Sequence, residues 1–125
     1  MDKIHAFTQL RTWQSARELT VAIYKVTESF PDSEQFGLTS QMRRASVSVA
    51  ANIAEGFSRT TARDKVYFYS IALGSLLENE SHAYIASDLG YLDLANLNKL
   101  LEGSTDLQKM IRGLMRTAKE RIPVA

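Results

Sequence analysis

Residues 37–56 read GLTSQMRRASVSVAANIAEG. On a 3.6-residue wheel Met42, Ala45, Val49, Ile53 and Gly56 share one face, the stripe of a helix packed on a core. Val47, Ala51 and Ala54 fall on the far side. A helix that is apolar or small on both sides is covered on both sides, and in a chain of 125 residues the second cover is expected to be another subunit. Gln41, Ser48, Asn52 and Glu55 occupy a narrow sector beside the stripe, with Arg44 at its border. Partly buried amides and acids need partners, so these five residues are read as a structural or interface network with Arg44 supplying the charge. Such networks fix helix register, which is preferred here to a small polar site. Arg43, the neighbour of Arg44, is expected to make an outward contact.

Outward from this stretch the pattern stays helical. Pro31 and Pro123 are the only prolines, and between them apolar residues recur at three- and four-residue steps. A first helix is expected from a Thr8 cap to about Ser29, with Leu10, Trp13, Ala16 and Thr20 on one seam and Leu19, Ile23, Val26 and Phe30 on the next. Residues 30–37 break it, since proline disfavours helix in the residue before it and Gly37 accepts a turn. The second helix is expected at about Leu38–Phe57. Thr61 and Asp64 have the form of a capping box for a third helix over about Ala62–Leu89. Gly74 and Ser75 in its middle predict close backbone packing, because a helical glycine costs about 1 kcal/mol relative to alanine. Gly90 ends that helix, and Asp93 caps a fourth that runs towards Arg121. The reading is an all-α, antiparallel up-down-up-down four-helix bundle, a single domain over residues 1–125 that assembles into a homo-oligomeric ring.

Composition excludes whole classes of function. There is no cysteine, so disulfides, thiolate metal sites and cysteine nucleophiles are ruled out. The amino-terminal residues MDKIHAFTQL carry an acid at Asp2 and no apolar core segment, unlike a secretory signal, and no stretch approaches the roughly 18 to 20 apolar residues of a membrane span. A cytoplasmic protein is the simplest expectation. A net charge of +1 means that nucleic-acid binding must come from local patches.

Catalytic constellations are not legible. A di-metal bundle site needs two Glu-x-x-His motifs, whereas His82 has Asn79 three residues back and Glu78 four, so this pair reads as structural and neither metal nor cofactor is expected. Ser40, Ser46, Ser48, Ser58 and Ser75 fit no nucleophile elbow, and there is no phosphate loop. The chain is read as non-enzymatic. Basic residues give the sign of a partner: Arg43, Arg44, Arg59, Arg63 and Lys65 cluster around the second and third helices, and Lys109, Arg112, Arg116 and Lys119 form a stripe along the fourth. Of these Arg43, Arg59, Arg63, Lys109, Arg112, Arg116 and Lys119 are the candidate nucleic-acid contacts. Cations near a helix carboxyl end also complement its dipole, so the stripe needs repetition by subunits to become persuasive. Tyr67, Phe68 and Tyr69 point in different directions and are expected to serve core and interface together, with nothing in the sequence favouring base stacking.

The run Phe30-Pro31-x-x-Glu34-x-Phe36-Gly37-Leu38-Thr39-Ser40-Gln41-Met42-Arg43-Arg44-Ala45, continuing through Ser48 and Asn52-Ile53-Ala54-Glu55-Gly56, resembles the 23S rRNA intervening-sequence family. The likeness extends to Leu10-x-x-Trp13-Gln14-x-Ala16, Arg59, Ala72-x-Gly74-Ser75-Leu76, Glu78 and Leu89-Gly90-Tyr91. Asn79 and Ala83 depart from it, standing where larger apolar residues are expected, and Val49-Ala50 replaces the more usual isoleucine-proline. The resemblance implies a cytosolic bacterial four-helix bundle that forms a homopentamer and whose molecular function is unassigned. Members are named for reading frames in inserted segments of ribosomal RNA genes. The family is also similar in fold to the accessory protein of diversity-generating retroelements, a pentameric barrel that binds nucleic acid and a reverse transcriptase. The expectation is therefore a homo-oligomer that binds RNA or another nucleic acid through basic patches, with no membrane contact. The alternative is an oligomeric adaptor or scaffold for a protein partner, its arginines held in internal ion pairs.

Overall fold

A computed structural model describes residues 4–123, so Asp2 lies outside the described residues. It contains four helices, α1 (Arg11–Thr27), α2 (Leu38–Ser58), α3 (Ala62–Asp88) and α4 (Leu94–Lys119), with short 3-10 turns at Phe7–Gln9 and Asp32–Glu34. Side-chain contacts set the directions. Thr20 Oγ1 donates to the Ser46 carbonyl and Arg43 Nε to Thr27 Oγ1, so α1 and α2 run antiparallel. Ser48 meets Ser75, and Gly56 lies under Tyr69, which reverses the chain again into α3. Gln108 reaches back to Glu80, and α4 closes the bundle against α1.

The helix ends follow local chemistry. Thr61 Oγ1 accepts from the Asp64 amide at 3.2 Å and Asp93 Oδ1 from the Asn96 amide at 2.8 Å, satisfying amides that a first turn leaves without helical partners. Gly90 takes φ +79° after α3, and the Tyr91 amide donates back to the Ala86 carbonyl. The first helix is shorter than its periodicity predicts. Gln9 Oε1 accepts from the amides of His5 and Ala6, and Gln14 Nε2 donates to the Thr8 carbonyl. These bonds hold a separate turn, and the α-helix starts at Arg11 with no cap from Thr8. At its other end the chain tightens into Glu28-to-Lys25 and Phe30-to-Thr27 bonds as it nears Pro31, so helix stops at Thr27 and not at Ser29.

The expected seams form the core. Met42, Ala45, Val49, Ile53 and Gly56 are all buried, as are Leu10, Ala16, Ile23 and Phe30 from α1 and its flanks. Ile111 and Leu107 of α4 meet Leu76 and Ile53 in one half of the bundle, while Phe30, Met42, Leu97 and Leu100 fill the other. Asn79 is the misfit. It is 3% exposed, and neither its Nδ2 nor its Oδ1 has a hydrogen-bond partner among the described residues. A cavity of about 10 Å³ lies beside it, lined also by Leu19, Ala83 and Ser104, so Asn79 and Ala83, two of the departures from the family pattern, sit at one void. An unpaired buried amide costs about 1–3 kcal/mol. Asn79→Leu is therefore expected to raise the unfolding free energy by roughly 1–2 kcal/mol after some loss to repacking, read as a higher denaturant midpoint at unchanged slope.

The two mid-chain glycines behave differently. A Cβ on Gly56 would stand 2.6 Å from Tyr69 Cε1. At Gly74, where close packing is expected from sequence, no atom of the described residues beyond its own helical turn lies within 4 Å of the corresponding position. Ser75 turns inward and pairs with Ser48 at 2.9 Å, whereas Gly74, a 100° step away, faces out.

Candidate nucleic-acid interface

Antiparallel packing sorts the charges by height. One half of the bundle holds the start of α1, the end of α2, the start of α3 and the end of α4, residues 4–19, 48–75 and 105–123. It carries ten lysines and arginines against five acids, a net of +5. The other half, residues 20–47 and 76–104, carries four against eight, a net of −4. The overall charge of +1 thus conceals a molecule with one basic end and one acidic end. Six of the seven candidate contacts, Arg59, Arg63, Lys109, Arg112, Arg116 and Lys119, belong to the basic half.

Arg112, Arg116 and Lys119 line one open groove of about 460 Å³ with Met115 and Glu120. Their spacing of four and three residues puts the three Cα atoms about 6 and 4.5 Å apart along the helix axis, a row that can follow a chain of phosphates. Lys109 continues the row and is exposed. Across the α2–α3 connection Arg59 stacks over Phe68 at 4.7 Å and pairs with Glu55, which leaves it partly committed. Arg63 is exposed. Lys65 is structural: its Nζ donates to the carbonyls of Gly56 and Phe57, at 3.2 and 2.7 Å, closing the end of α2. Burial there lowers its pKa, and the neighbouring Arg121, just past the end of α4, lowers it further.

Arg43 stands apart from the other six. Its Nε donates to Thr27 Oγ1 at 2.9 Å, its Nη2 to the Tyr24 carbonyl at 3.3 Å, and its guanidinium lies 4.7 Å from the Tyr24 ring. It ties α2 to α1 in the acidic half, so its outward contact is corrected to an internal one. The polar network is also rearranged. Asn52 Nδ2 donates to the carbonyl and hydroxyl of Ser48, and Ser48 meets Ser75, so this part links α2 to α3. Glu55 pairs with Arg59, not with Arg44. Arg44 is exposed and lines a groove of about 310 Å³ with Gln41, Ser48, Ser75 and Glu78. Glu78 Oε1 lies 3.6 Å from His82 Nε2, beyond a hydrogen bond, and among the described residues no third carboxylate or imidazole joins them.

A second surface was not legible from the motifs. Tyr67, Ser70, Gly74, Leu77, Ser81 and Tyr84 are all exposed and follow one another at three- and four-residue steps down α3. With small residues at Ser70, Gly74 and Ser81 set between large ones at Tyr67, Leu77 and Tyr84, this row has the form of a helix-packing face without a neighbour among the described residues. The signal was available, since the apolar residues of α3 do not keep to one side. Among the described residues no helix is long and apolar enough to cross a membrane.

The fold and site define an all-α helical bundle with charge separated along its axis. The model of the 23S rRNA-intervening sequence protein family matches residues 8–113, and the chain belongs to that family. A crystal structure of a protein of unknown function from the S23 ribosomal protein family, from Bacteroides thetaiotaomicron, is similar in fold. The two share 20% identity over 84% of this chain and 95% of that one, with a TM-score of 0.77. No curated protein matches the chain.

Proposed function

We propose that this chain is a non-enzymatic, homo-oligomeric protein that binds RNA or another nucleic acid through its basic end. The observation that carries the reading is the concentration of ten cations in one half, with Arg112, Arg116 and Lys119 aligned in one groove. Polyanion binding releases condensed counterions from the nucleic acid, and a weak patch gains strength when subunits repeat it. The outward row of α3 supports the oligomer. It offers apolar area at Leu77 and Tyr84, and at its centre a glycine beside which no atom of the described residues would meet a Cβ within 4 Å.

Pull-down from bacterial extract, with and without nuclease, tests the class of partner. Nucleic acid in the eluate, lost after nuclease, is expected; a protein that stays bound after nuclease would favour an adaptor. Assembly is tested separately by light scattering. The expected result is a mass of several subunits that falls to one in Gly74→Leu with helicity retained. A wild-type monomer at micromolar concentration would remove the oligomer from the proposal.

A further inference from the structure

We infer that the preferred nucleic acid is single-stranded and that Tyr67 stacks on one of its bases, a conclusion that rests on the phosphate-binding reading above. Tyr67 is 60% exposed and stands in the basic half, one helical turn from Arg63. Its ring meets the Phe68 ring edge to face at 5.2 Å, and Phe68 is covered in turn by the Arg59 guanidinium at 4.7 Å. The aromatic is thus supported from behind by a neighbour that is itself fixed. Exposure of so large a ring has no use in the core of this chain.

A duplex offers phosphates to such a surface but keeps its base faces stacked inside, so cations alone would suffice for it. A single strand offers phosphates and free base faces together, and every base has a face on which an aromatic can stack. An exposed, preoriented tyrosine among arginines matches the second ligand. The competing occupant is another copy of the chain, because Tyr67 also heads the outward row of α3.

The test is a polarisation titration of the full chain with labelled oligouridylate and with an RNA duplex of equal length, both at low salt. Light scattering is run on the same samples. The expected result is tighter binding of the single strand. Tyr67→Ala should weaken it about ten-fold, in keeping with one stacked base, with little change for duplex. Tyr67→Phe should restore the affinity, and neither variant should change the oligomer. Equal or tighter duplex binding overturns this inference and leaves the phosphate-binding reading standing, as does unchanged single-strand affinity in Tyr67→Ala. A loss of affinity that accompanies dissociation of subunits assigns Tyr67 to the subunit contact and overturns the stacking role. Failure of both probes to bind overturns the parent reading and this inference with it.

Discussion

Gly56→Val is expected to lower the unfolding free energy by about 3 kcal/mol. A glycine in a helix costs about 1 kcal/mol relative to alanine, so its replacement should help unless space is lacking. Space is lacking at Gly56. The first added carbon would stand 2.6 Å from Tyr69 Cε1, 2.7 Å from Tyr69 Cδ1 and 3.3 Å from Phe68 Cβ. Tyr69 is itself buried against the core and cannot swing out without opening a cavity. Alanine at the same position gains the helix propensity but meets the same ring, for a net loss of about 1–2 kcal/mol. Denaturant unfolding of the two variants beside wild type checks the order. Stability equal to wild type in Gly56→Val would contradict the packing of α2 on α3 described above.

The second large effect is on binding. Arg112→Ala combined with Arg116→Ala is expected to weaken RNA binding roughly 20- to 60-fold at ~0.1 M salt, because counterion release gives each phosphate contact a factor of about 5 to 8 there. The slope of log affinity against log salt should become shallower by about 1.4 for a single strand. Both residues are exposed on α4, off the buried stripe of Leu107 and Ile111, so the fold should survive. Circular dichroism and the thermal midpoint check that. An unchanged slope would remove the α4 groove from the interface while leaving Arg63 and its neighbours as candidates.

Much of the fold was legible because a bundle writes its core as periodicity. The stripe from Met42 to Gly56, the caps at Thr61 and Asp93 and the turn at Gly90 all act within a few residues of themselves. The start of α1 was not legible from Thr8, because the side chains of Gln9 and Gln14 take up the local amides and carbonyl first. The roles of Arg43 and Arg44 depend on which helices pack beside α2. Periodicity places the two 100° apart but does not say that Thr27 and Tyr24 wait beside Arg43. Gly74 shows the same limit: its sequence position announces close packing, but among the described residues no partner lies within 4 Å.

The basic end is the reverse case, legible in principle from sequence. Once the helices are known to alternate in direction, the ends of α2 and α4 fall beside the starts of α1 and α3, and the charges can be counted by height. Counting them along the chain instead gives two separate patches and a net charge near neutral, which hides the polarity.

The central claim, binding of nucleic acid at the basic end, is tested most directly by titrating the full chain against a labelled unstructured RNA across a salt series. Arg63, Lys109, Arg112, Arg116 and Lys119 are exposed there. If all five reach phosphates, the slope of log affinity against log salt should be about −3.5 for a single strand, at roughly 0.7 per contact. Absence of binding at low salt, or binding whose affinity does not change with salt, would contradict the claim.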